Sequence, residues 1–104
     1  MTKKILLLGR KGIIVENARS QIGDHDLEIY GGTGIDDVRS TFTEAKIDHV
    51  FMGAGIELEK RLEIVREVFR LSDSATVHMK DASSGPQGFL PFVRAVLAGL
   101  KEAP

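Results

Sequence analysis

The chain has 104 residues, 42% of them apolar and 28% charged, with a formal net charge of −1. That is enough chain for one domain with a modest core, and the charge balance gives no global attraction to nucleic acid or an anionic membrane. Cysteine is absent, which excludes disulfides, thiol catalysis and thiolate metal sites and suits a reducing cytoplasm; the longest apolar run, Ile5-Leu6-Leu7-Leu8, is far too short to span a bilayer.

Residues 3–9 predict a first strand, whose continuous apolar run suits a position buried on both faces. Residues 12–22 predict a helix with Ile14, Val15, Ala18 and Ile22 turned inward, closed by Gly23-Asp24. A short second strand follows at 27–30. The helix at 35–46 lines one face with Ile35, Val38, Phe42 and Ala45 and carries Asp36 and Asp37 in its first turn, where the dipole favours acids.

Val50-Phe51-Met52 predicts a third, buried strand. The helix at 57–71 takes Leu58, Leu62, Val65 and Phe69 as its core stripe, with Ile64, Val68 and Leu71 as an apolar shoulder. Glu57 with Arg61, Glu63 with Arg66 and Glu67 with Arg70 have pairing distance on its wet side, each worth about 0.2–0.5 kcal/mol. A fourth strand at 75–80 sets Val77 and Met79 on one face and His78 and Lys80 on the other. The last helix spans 89–100, with Pro91 confined to its first turn.

Strand, glycine joint and helix repeat four times, the pattern of an α/β fold: a three-layer, doubly wound parallel sheet of four strands in order 2-1-3-4, Rossmann- or flavodoxin-like, in a single domain over 1–104. Ligands of such sheets sit at the carboxyl ends of the strands, where the joints gather. Gly9-Arg10-Lys11-Gly12 can present backbone N–H groups and two cations to a phosphate at a helix N-terminus. The same residues also suit a plain βα turn with solvated basic side chains. Gly32, Gly34, Gly53, Gly55, Ser83 and Ser84 would shape the rest of such a pocket.

Gly9-Arg10-Lys11-Gly12-Ile13-Ile14, Gly34-Ile35-Asp36-Asp37 and Ile47-Asp48-His49-Val50-Phe51 together resemble a passage of atypical short-chain dehydrogenase relatives, an NAD(P)-binding Rossmann group, over residues 3–80. The resemblance implies NAD(P) or another nucleotide as ligand, Asp36 or Asp37 near adenine, and Gly53-Ala54-Gly55 near the adenosine half. Departures stand beside it. Val15 replaces the third glycine of the turn and is expected to crowd helix–strand packing; Tyr30 stands where a ribose-binding acid is usual. Tyr30 is the only tyrosine and no Tyr-x-x-x-Lys pair exists. The chain stops before a second mononucleotide half, so a full nicotinamide site is not expected within one subunit.

Other chemistries lack their residues. There is no Gly-x-x-x-x-Gly-Lys-Ser/Thr loop and no Gly-x-Ser-x-Gly elbow. Phospho-receiver domains need acids where this chain has Gly9-Arg10 and Met52-Gly53. His25 and His49 fall at strand starts, on the rim opposite the glycines. His78, Lys80 and Ser84 are the candidates for catalysis, if a base and a hydroxyl meet there. Two functional readings follow. One is a small-ligand domain holding a phosphate-bearing or nucleotide-like molecule; the other is a ligand-free interaction module. In either, residues 89–100 and the fourth strand are the expected homodimer surface.

Overall fold

The computed structural model describes residues 2–23, 26–83 and 85–100; Asp24, His25, Ser84 and the tail at 101–104 lie outside the described residues. The elements are β1 (Lys3–Leu8), α1 (Val15–Ile22), β2 (Leu27–Gly32), α2 (Ile35–Glu44), β3 (His49–Met52), α3 (Leu58–Leu71), β4 (Thr76–Met79), a single 3₁₀ turn (Pro86–Gly88) and α4 (Phe89–Gly99). All strand pairings are parallel and the order is β2-β1-β3-β4, the Rossmann/flavodoxin-like winding expected from the glycine joints. No helix among the described residues is long and apolar enough to cross a membrane.

Because successive strand residues point to opposite faces, the sheet serves two cores. Leu6, Leu8, Val50 and Met52 pack beneath Val38 of α2 and Ile64 and Val68 of α3. Ile5, Leu7, Ile29 and Phe51 pack beneath Ala18 and Ile22 of α1 and Val93 of α4. Each such buried aliphatic or aromatic side chain contributes about 1.5–3 kcal/mol of transfer free energy. Gly23 ends α1 in the left-handed region at φ 72°, its N–H donating to the Arg19 carbonyl at 3.0 Å.

Two expectations need correction. The first concerns boundaries. β2 runs on through Gly31 and Gly32, which pair with Leu7 and Leu8, and α1 starts only at Val15. Ile14 is therefore extended and exposed rather than part of the inward stripe.

The second concerns α3, where Ile64 and Val68 of the shoulder carry the burial, Val65 of the expected stripe packs against the core, and Leu71 is 37% exposed. Ile64 and Val68 are fully buried, whereas Leu58, Leu62 and Phe69 are 56%, 45% and 54% exposed. The helix is rolled toward α2 by Glu67, which is buried and accepts Arg39 Nε of α2 at 2.7 Å and Arg70 Nε at 2.8 Å. Of the three pairs expected on the wet side, only Glu67 with Arg70 forms among the described residues, and it is anchored at a buried carboxylate. Arg61 instead buries its Nε with no partner among the described residues.

On α4 only Val93 is fully buried; Phe89, Leu90, Phe92, Val96 and Leu97 are partly buried and pack against the Ile5–Leu7–Phe51 side.

Candidate functional site

The winding reverses between β1 and β3, because β1 connects outward to β2 and the chain then returns across β1 to form β3. In doubly wound sheets this switch point opens a crevice at the strands' carboxyl ends. A cavity of about 490 Å³ lies there. The loop after β1 supplies Gly9, Arg10, Lys11 and Ile13; the loop after β3 supplies Gly53, Ala54 and Gly55; the segment after β4 supplies Lys80, Ala82, Gly85, Pro86 and Phe89.

Glycine eases this convergence. A Cβ on Gly55 would stand 3.3 Å from Arg10 Cβ, a tight contact that the β1 and β3 loops would relieve by moving a few tenths of an ångström apart. Gly53 donates its N–H to the Leu8 carbonyl at 2.9 Å and lies over the Phe89 ring. Gly85 has φ 73°, a conformation that a side chain resists, and it turns the chain toward α4. Gly9 continues the sheet, donating to the Gly32 carbonyl at 3.2 Å.

Three cations share the cavity: Arg10, Lys11 and Lys80. Arg10 and Lys11 are exposed, but Lys80 is only 4% accessible. Its backbone N–H extends the ladder to the Met52 carbonyl at 2.9 Å, which carries the side chain under the rim. Lys80 Nζ donates to the Asp81 carbonyl at 2.8 Å, and among the described residues no other partner takes its remaining two N–H donors. A buried ammonium held by one neutral carbonyl favours an anion beside it. α1 points its start at the same loop, and Ile14 at its N-cap supplies no side-chain hydrogen bond, which leaves first-turn N–H groups unclaimed by a cap. Ile13, Pro86 and Phe89 give the cavity an apolar wall opposite this charge.

The structure thus brings together Gly9, Arg10, Lys11, Gly53, Gly55 and Lys80 of the candidates read from the sequence. Gly12 lies outside the lining and its Cβ position is open space. Gly32 and Gly34 are also outside. Gly32 is occupied by α2 instead: a Cβ there would meet Asp37 Cβ at 2.5 Å. Asp37 Oδ2 accepts the Thr33 N–H at 2.7 Å and the Thr33 hydroxyl at 3.2 Å, so this carboxylate closes its own turn. Asp36 pairs loosely with Arg39 at 3.8 Å. Tyr30 donates its hydroxyl to Glu28 Oε2 at 3.1 Å. Ser83 donates to Asp81 Oδ2 at 2.6 Å and does not line the cavity; Ser84 lies outside the described residues.

His78 sits elsewhere. Its ring stacks on Phe51 with centroids 5.1 Å apart, and its Nε2 lies 2.8 Å from Thr76 Oγ1, which in turn lies 2.6 Å from His49 Nδ1. This His49–Thr76–His78 chain runs back along the sheet toward the strand starts and is absent from the cavity lining. Burial pushes both imidazoles below their usual range, and Lys3 adds to the effect at His49. Sequence reading missed this chain; the alternation that puts Thr76 and His78 on one face was its only signal.

A further hollow of about 430 Å³ opens on the opposite rim, between residues 42–47 and 71–74. It lies at the C-terminal ends of α2 and α3, where unpaired carbonyls gather, and lacks the convergence of loops found at the switch point. No protein family, curated protein or solved structure matches this chain.

Proposed function

We propose that this chain is a small-ligand-binding domain that holds a phosphate-bearing, nucleotide-like molecule at the switch-point cavity. One observation carries the reading: Lys80 is buried at the rim with two N–H donors that no described residue takes, in a cavity it shares with Arg10, Lys11 and the glycine loops. In this reading the phosphate rests against those cations and the Gly9 loop, and the flat or apolar part of the ligand lies on Ile13 and Phe89. Within that class, NAD(P) is the candidate the family resemblance supplies. Asp37 is engaged by Thr33 and Tyr30 stands in place of a ribose-binding acid, so the phosphate end, rather than the ribose, is the expected anchor. The cysteine-free composition supports a cytoplasmic setting.

Calorimetry with NAD(P), ATP and simple phosphate esters tests the proposal. Heat of binding that disappears in Lys80→Met and weakens in Arg10→Ala/Lys11→Ala is the expected result. No heat with any of these probes would sink it.

The second reading, a ligand-free homodimeric interaction module, is favoured by a separate observation: the large apolar side chains left exposed on α3.

A further inference from the structure

Leu58, Leu62 and Phe69 project from a single flank of α3. At about 100° per residue they lie roughly 180°, 140° and 160° around the helix from Glu67. Glu67 is the residue that grips Arg39, so its flank faces α2. The apolar flank therefore faces away from α2, and with the strands ordered β2-β1-β3-β4 it overhangs the outer edge of β4. Met79, 47% exposed, extends the patch on the face of β4 that Val77 shares. Among the described residues β4 pairs only with β3, so its other edge keeps open N–H and C=O groups.

We propose that this surface is the self-association site of the chain, occupied by a second copy related by a two-fold axis normal to the sheet. Such an axis sets β4 antiparallel to β4 and α3 antiparallel to α3, and joins two four-stranded sheets into one of eight. The stripe suits that operator. Positions 58, 62, 65 and 69 are spaced four, three and four, so they read the same in both directions. Leu58 of one copy meets Phe69 of the other, and Leu62 meets Val65.

Charge picks out the same partner. Glu59 and Arg66 border the stripe on its solvent side, both exposed and neither ion-paired among the described residues. The antiparallel copy brings Arg66 within about 3 Å, measured along the axis, of the other copy's Glu59. A parallel copy would set like charges together. Of the surface expected at residues 89–100 and the fourth strand, this one keeps the strand but takes α3 in place of α4, whose apolar residues are partly buried against the core while Leu58, Leu62 and Phe69 are exposed.

Sedimentation velocity on the full chain tests the assignment. The wild type is expected to be a dimer, and Leu62→Asp is expected to raise the dissociation constant by about thirtyfold or more. Glu59→Arg, which gives up the first-turn acid of α3, and Arg66→Glu, both solvent-exposed and both checked for unchanged circular dichroism, should each weaken the dimer by about threefold or more, and the double swap E59R/R66E should restore it. A monomeric wild type, a dimer indifferent to Leu62→Asp in a variant with unchanged circular dichroism, or a double swap that restores nothing overturns the proposal.

Discussion

Val15 and Gly31 fit one another as a pair: Cγ2 of Val15 lies 3.3 Å from the point where a Cβ on Gly31 would stand. In a dinucleotide-binding turn a glycine on the helix allows close packing. Here the helix keeps a valine, and the missing side chain is on the strand. The crowding expected at Val15 is relieved from the other side.

Gly31→Ala is expected to destabilise by about 1–2 kcal/mol. The restriction of the unfolded chain would return about 0.4–1 kcal/mol. It loses because the Ile13 carbonyl oxygen, 3.3 Å from the new methyl, cannot rotate away as a side chain can. Val15→Ala should cost less in the Gly31→Ala background than in the wild type. Urea unfolding of the four proteins measures that coupling, and simple additivity would refute it.

Gly32→Ala should be worse still. Its methyl would collide with Asp37 at 2.5 Å and break the bond to Thr33. A loss of about 2–3 kcal/mol is expected from the overpacking and the broken turn. Phosphate binding in the folded fraction should be unchanged, since Gly32 does not line the cavity. Calorimetry on folded protein checks this second part.

Arg70 and then Arg39 hold the Glu67 carboxyl down to about 2, from an ordinary 4.5. A carboxylate whose pKa falls on folding stabilises fully above the unfolded value. That stabilisation is lost as pH drops from 4.5 toward about 2. Glu67→Gln should therefore show a flatter stability curve across this interval than the wild type. Urea midpoints taken at descending pH measure the difference.

His49 and His78 both titrate below the ordinary 6.5. The unfolded chain takes up these protons first as pH falls through 6.5, so folding stability declines below that point until the folded imidazoles also protonate. The double variant His49→Gln/His78→Gln should be less pH-sensitive below 6.5. Proton NMR should place both imidazole midpoints under 6.5, and a midpoint above it for either ring contradicts the prediction.

The register of α3 predicts a contrast within one helix. Ile64→Ala should cost about 2–5 kcal/mol, because it empties a fully buried site. Leu62→Ala should cost under about 1 kcal/mol in dilute solution, because the leucine is 45% exposed and belongs to neither core. Thermal melts of the two variants at low concentration decide it.

Much of the architecture was legible in the residues themselves. Strand and helix alternation, the parallel winding and the order 2-1-3-4 follow from local periodicity, glycine joints and the handedness of crossovers, which need no knowledge of distant contacts. Gly23 as a helix stop and Pro91 in a first turn are equally local. The phase of α3 was not legible. Both of its apolar stripes have helical spacing, and the choice fell to the Glu67–Arg39 bond and to the width of a sheet that ends at β4. The cavity was half legible: the β1 and β3 loops were visible as glycine joints, but the assignment of Gly31 and Gly32 to packing against α1 and α2 was not. Nor was the burial of Lys80. One residue past a strand, a lysine is normally solvated, and only the pairing of β4 with β3 carries this one beneath the rim. Short-range pattern determined which elements form and how they wind. Long-range packing decided which apolar face is wet and which cation is dry, because both depend on what lies across the sheet rather than along the chain.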